Sequence, residues 1–212
     1  ADEIAALTPV PKTWWGKSQA ARLGYETVLE TVAEEYHASE EAIRRLNPGA
    51  PWPNPPAGTS LVVPNPRPFK TPAAARLTLF LGEKLLRAFD ASGRVIAQFP
   101  CSIAKDKEKR PAGSLTIVNC ASDPTYVLDP AVFLEDKEVQ ALGKRLVIPA
   151  GPNNPVGVAW ITLSLPGYGI HGTPRPADIG KTGSHGCFRL ANWNAEKLIR
   201  MIHIGMPVMV EE

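Results

Sequence analysis

His171 and Cys187 stand sixteen positions apart, in Ile170-His171-Gly172-Thr173 and Ser184-His185-Gly186-Cys187-Phe188-Arg189. A cysteine thiolate is a strong nucleophile, but a free thiol, with a pKa of about 8.5, is mostly protonated at neutral pH. It becomes reactive when a base or a positive dipole lies beside it. Here one imidazole lies upstream of the cysteine, and a second, His185, lies two residues before it. Gly186 directly precedes the sulfur and lets the backbone turn tightly, so successive N–H groups could face a developing oxyanion. These residue types, in this order, point to acyl transfer through a cysteine.

Either imidazole could serve as the base, because imidazole titrates near neutral pH. His185 is closer in sequence, yet residues two apart face each other only on a particular backbone. Arg189 is a fixed cation beside the nucleophile that could grip a substrate carboxylate with two hydrogen bonds. Ser184 could bond within the loop or touch substrate, while Tyr168, Trp160 and Asn153 could wall a cleft. His37 and His203 lie away from these motifs and receive no role. His171, His185 and Cys187 are also good Zn²⁺ ligands. No CxxC or HExxH spacing supports a zinc site and no fourth ligand is evident, so neither metal nor cofactor is expected.

The elements that must position these groups follow from pattern and composition. The chain has 212 residues, 44% of them hydrophobic, and a formal net charge of +2. That balance gives no electrostatic reason to expect nucleic acid, whose binders concentrate a basic face. No apolar run is long enough to span a bilayer. Ala1-Asp2-Glu3-Ile4 lacks the basic and apolar segments of a signal peptide, so the chain is either intracellular or already trimmed. Prolines cluster at 48–56 and 64–68, where they exclude helix interiors, and the second cluster reads as a linker. The spacing predicts a helix over 26–37 and a second one after Ser39, an N-cap followed by Glu40 and Glu41. A short strand is expected at Leu61-Val62-Val63. Beyond the linker the pattern becomes β: strands over 76–81, 84–89, 95–103, 114–120, 159–163, 168–171 and 207–210. An excursion over 121–150 holds a short helix near 136–142, and 195–202 reads as the one well-formed helix of this half. Many short strands with scarce helix indicate a mainly β fold with minor α, a mixed β-barrel or sandwich. Three cysteines occur, at 101, 120 and 187. If the strands on either side of Pro111 pair, Cys101 and Cys120 fall nearly opposite each other. They then either form a disulfide or are simply buried small residues.

Gly151-Pro152-Asn153-Asn154-Pro155-Val156-Gly157, Tyr168-Gly169-Ile170-His171-Gly172-Thr173 and Ser184 to Leu190 together resemble the L,D-transpeptidase catalytic domain of YkuD type. Arg110-Pro111-Ala112-Gly113 is similar to that family's Thr-Pro-x-Gly turn, with arginine in place of threonine. Ala33 to Ser39, Leu46-Asn47-Pro48 and Pro56-Ala57-Gly58-Thr59 with Leu61 to Pro64 resemble a LysM module, a small α+β peptidoglycan-binding fold. The resemblances divide the chain into a LysM-like unit over 1–66, a linker over 67–74 and a catalytic domain over 75–212. They imply that Cys187 is the nucleophile, His171 the base, and the Gly172 carbonyl the group that orients the imidazole. Gly186 and Cys187, with His185, would supply the oxyanion hole.

The implied reaction is acyl transfer on peptidoglycan stem peptides. Cysteine attacks the L-to-D bond before the terminal D-alanine of a tetrapeptide, and an amine, of a second stem or of an envelope protein, resolves the thioester. With water as acceptor the same site would be an L,D-carboxypeptidase or a cross-link hydrolase. A third reading is a wall-binding protein without catalysis. The implied location is the periplasm or cell envelope, after removal of a signal peptide.

Overall fold

Strands dominate from Arg76 onward because apolar and polar residues alternate there, whereas helices form only in short capped stretches. The structure, a computed structural model, describes residues 6–68, 70–181, 183 and 186–212. The backbone separates into two compact units: the chain up to Arg67 with Pro124–Pro155, and Pro68–Asp123 with Val156–Glu212.

The first unit begins with α1 (Trp14–Gln19), which the sequence reading misses, followed by α2 (Val28–Glu35) and α3 (Glu40–Leu46). Thr27 and Ser39 cap α2 and α3 by accepting from the backbone N–H groups of Glu30 and Ala42, orphan donors of each first turn. Val28, Leu29, Val32, Ala33 and Ile43 bury a shared core. The strand expected at Leu61-Val62-Val63 does not form. Instead the Asn47 side chain takes the place of a partner strand, accepting from the Val62 N–H at 2.7 Å and donating to the Val62 carbonyl at 2.8 Å.

Residues 124–155 do not stay in a continuous domain over 75–212 as the sequence suggests. They form a hairpin, β5 (Tyr126–Leu128) and β6 (Leu146–Ile148), around α4 (Lys137–Leu142). Leu128, Val139, Leu146 and Ile148 enclose Leu23 of the N-terminal segment. Trp14 Nε1 donates to Asp136 at 2.8 Å across the same contact. Burial of that leucine alone contributes on the order of 2 kcal/mol, which accounts for the excursion's allegiance.

The second unit holds one sheet of eight strands: β1 (Arg76–Phe80), β2 (Leu85–Phe89), β3 (Val95–Pro100), β4 (Gly113–Ser122), β7 (Ala159–Leu163), β8 (Gly169–His171), β9 (Phe188–Arg189) and β10 (Pro207–Glu211). Their spatial order is β3-β2-β1-β10-β4-β7-β8-β9. The sheet curls so far that its ends meet: Ser102, just past β3, exchanges backbone hydrogen bonds with Arg189 of β9 at 2.9 and 3.0 Å. The mainly β expectation is therefore met by a curled sheet rather than by two packed layers. Leu77, Leu79, Leu86, Ile117, Ile161, Ile170, Phe188 and Val208 fill its interior. Helix α5 (Asn192–Ile199) adds Ala195 and Leu198 to that core and starts three residues before the expected position.

The sheet order also overturns the cysteine pairing. β3 and β4 are not neighbours but are separated by β2, β1 and β10, so Cys101 and Cys120 are both free thiols. Cys101 is fully buried, and burial pushes its thiol up to about 12.

Candidate active site

Strand β8 carries the site, and its two neighbours fix what faces it. It runs antiparallel to β7, which sets Trp160 opposite His171, and parallel to β9, which sets Arg189 beside His171 and Phe188 beside Ile170. Side chains alternate across a strand. Ile170 and Phe188 both point into the core, so Trp160, His171 and Arg189 share the opposite face. Cys187 lies two residues before Arg189, in the bend that leads into β9. Gly169, two before His171, presents no side chain there. An added Cβ would lie 2.8 Å from Trp160 Cζ2, so only glycine leaves room for the indole.

His171 is buried, and the Trp160 indole stacks on its imidazole with ring centres 5.4 Å apart and planes 24° from parallel. Trp160, expected as a cleft wall, is thus packed against the His171 ring itself, and its Nε1 donates to Thr162 at 2.9 Å. His171 Nδ1 lies 2.6 Å from the Gly172 carbonyl oxygen. A carbonyl only accepts, so Nδ1 bears the proton and Nε2 is left as the basic nitrogen. Burial is the largest influence on this ring and lowers its pKa to about 4; the Gly172 hydrogen bond opposes that change and the Arg189 charge adds to it.

The Gly172 carbonyl is itself held from several sides. The Gly172 N–H donates to the Ala159 carbonyl at 3.1 Å. Buried Asn192 lies against the glycine, its Oδ1 accepting from the Val158 N–H at 3.3 Å. Gly157, at φ +63°, packs against both, and a Cβ there would collide with Asn192 Oδ1 and the Gly172 backbone. Sequence reasoning missed Asn192, because nothing in an isolated asparagine at a helix start signals that its amide abuts a catalytic turn.

Cys187 is partly exposed, and its Sγ lies 3.6 Å from the Gly167 carbonyl oxygen. Burial raises the thiol pKa, while a hydrogen bond from the Gly169 backbone pulls it back. Both partners are therefore neutral at rest, a thiol and an imidazole. The arrangement suits general-base removal of the thiol proton during attack rather than a standing thiolate–imidazolium pair.

Tyr168 flanks the Gly186–Cys187 segment: its hydroxyl donates to the Lys109 carbonyl at 2.9 Å, and a Cβ on Gly186 would touch the ring at 3.5 Å. Arg189 donates from Nη2 to the Gly183 carbonyl at 2.8 Å. Partial burial lowers the Arg189 pKa, the Arg175 charge adds to that, and Asp178 opposes it. Ser184 and His185 lie outside the described residues. Asn153 is not a cleft wall: its amide donates to the Gly24 carbonyl at 2.9 Å and to Glu30 Oε1 at 2.5 Å, inside the first unit. The structure thus places His171 with Gly172, Trp160 and Arg189, Gly186 with Tyr168, and the Cys187 sulfur beside Gly167. Among the described residues no three His, Cys, Asp or Glu side chains converge as a metal site would require.

Known proteins resemble this chain along most of its length. A family model described as YkuD, the L,D-transpeptidase catalytic domain, matches residues 74–210. A Bacillus licheniformis protein named L,D-transpeptidase YkuD is 27% identical over 182 residues, covering 86% of this chain and 92% of its own. A Salmonella typhimurium protein named probable L,D-transpeptidase ErfK/SrfK is 29% identical over 185 residues, 86% of this chain and 59% of its own. The solved L,D-transpeptidase from Mycobacterium smegmatis superposes with a TM-score of 0.49 at 23% identity, over 66% of this chain and 59% of that one.

Proposed function

Since the chain belongs to the YkuD L,D-transpeptidase catalytic domain family, we propose that Cys187 is its nucleophile and a peptidoglycan stem tetrapeptide its acyl donor. The observation that carries the proposal is the imidazole of His171, fixed by the Gly172 carbonyl at 2.6 Å and paired in register with Arg189, two residues after Cys187. Nε2 takes the thiol proton as sulfur attacks the carbonyl carbon before the terminal D-alanine. The backbone N–H groups of Gly186 and Cys187, with His185, hold the oxyanion of the tetrahedral intermediate. Collapse breaks the C–N bond, and the imidazolium gives its proton to the leaving D-alanine amine. An amine acceptor then loses a proton to Nε2 and attacks the thioester, which releases the peptide and restores the thiol. Arg189 holds the terminal carboxylate of the donor until D-alanine leaves.

The same reading carries an envelope location, with the helix pair α2–α3 as a LysM-like glycan-binding module; the two capped helices over a shared core support it. Pelleting of a full-length Cys187→Ala variant with purified sacculi tests that module: binding insensitive to substitutions on α2 and α3 would remove it.

The decisive experiment is intact-mass measurement after incubation with imipenem, the carbapenem in a solved complex of the LD transpeptidase LdtMt1. One adduct on the wild type and none on Cys187→Ser is expected; an adduct on the variant would assign the nucleophile elsewhere. Muropeptide products then identify the acceptor. Cross-linked dimers mark the transferase, and trimmed monomers alone mark the carboxypeptidase.

A further inference from the structure

Beside the closure of the curled sheet lies a cavity of about 170 Å³ lined by Lys84, Ser102, Lys105, Arg110, Lys181 and Gly183, among others. Four of those residues are cationic, and among the described residues no acidic side chain lines it. Two of the cations are held in place by backbone carbonyls. Lys84 Nζ donates to Gly180 at 2.7 Å, and Arg110 donates from Nε to Ala104 at 2.9 Å and from Nη2 to Lys105 at 3.1 Å. An ammonium has three donors and a guanidinium five, so both retain donors beyond those anchors. Among the described residues none of the four takes part in an ion pair: Glu83 is engaged by Arg87, and Asp106 by Lys109. Gly183 packs so closely on Lys105 that a Cβ would lie 2.7 Å from the lysine Cα, which fixes one wall.

We propose that this cavity is an anion subsite that receives a second carboxylate of the acidic stem peptide, distinct from the one at Arg189. The inference rests on the proposed peptidoglycan reading for its ligand. Position supports it: Ser102 is both a cavity wall and the backbone partner of Arg189, and Gly183 both a wall and the acceptor for the Arg189 guanidinium. A peptide seated at Cys187 therefore has a cationic socket one backbone ladder away.

The experiment measures equilibrium binding by calorimetry in a full-length Cys187→Ala background, so that no chemistry intervenes. Two probes are compared: the diaminopimelate-containing tetrapeptide, and the same peptide with its side-chain carboxylates amidated and its terminal carboxylate free. The acidic peptide binds Cys187→Ala roughly tenfold tighter than the amidated one, the scale of one lost charge-assisted hydrogen bond. Adding Lys105→Gln and Lys181→Gln, both on exposed side chains, removes that difference while leaving the amidated peptide's affinity unchanged. Equal affinity for the two peptides, a difference that survives both substitutions, or no binding of the acidic peptide overturns the subsite. Failure of the acyl-transfer reading shows separately, as absence of turnover by the unsubstituted chain.

Discussion

Replacing His171 with glutamine should abolish a specific part of the protein's acid sensitivity. The imidazole is buried under Trp160, and its pKa is lowered to about 4 from an ordinary 6.5. Below pH 6.5 the unfolded chain takes up a proton that the folded site refuses, so stability declines as pH falls, until folded His171 also protonates near pH 4. Over that window each step of one in pH costs about 1.36 kcal/mol, so the loss reaches about 2 kcal/mol between pH 7.5 and pH 5 and about 3 kcal/mol by pH 4. Urea unfolding of the second unit, followed at pH 7.5 and pH 5 for the wild type and His171→Gln, isolates this contribution. The variant starts less stable, through lost packing, but its pH dependence should be shallower by about 2 kcal/mol. The wild-type imidazole proton resonance, one of four in the chain, should stay at its neutral position over the same interval. Parallel pH dependences, or a resonance titrating near 6.5, would refute the claim that the base is held neutral by burial.

Because the free enzyme's base must be neutral, the acid limb of imipenem acylation should fall near pH 4 rather than near 6.5, read from rate against pH. Trp160→Leu opens the imidazole to water and should move that limb upward by ~1 in pH, measured the same way. Gly157→Ala, at φ +63° and against Asn192 and Gly172, should cost roughly 2 kcal/mol or more and slow acylation at least tenfold. Unchanged melting temperature and acylation would contradict the argument that Gly157 holds the Gly172 carbonyl. Thiol titration in denaturant without reductant should count three free cysteines, and a count of one would reinstate the Cys101–Cys120 bridge.

What the sequence could and could not supply divides along a physical line. Ser39, the strands over 76–89 and the helix near 136–142 are local matters of capping and alternation, and they sit where the pattern indicates. Long-range pairing is not local. The hairpin that would have joined Cys101 to Cys120 is a sound guess about neighbours, but β3 instead closes on β9, and β4 pairs with β10 and β7. Residues 124–155 follow the same rule: their allegiance is decided by where Leu23 finds its apolar enclosure, which no window around either segment reveals. At the site, motif spacing pointed to His171, Gly172, Cys187 and Arg189, and the parallel β8–β9 pair sets His171 beside Arg189. Their protonation was beyond it. Spacing invites a picture of a thiolate beside a charged imidazole, yet desolvation acts against charge on both groups and leaves them neutral. The burial that costs the pair its charges also makes a neutral, tautomer-fixed base of His171. In the proposed mechanism the proton moves only as the sulfur attacks a carbonyl, which would keep a partly exposed thiol from standing ionised between turnovers.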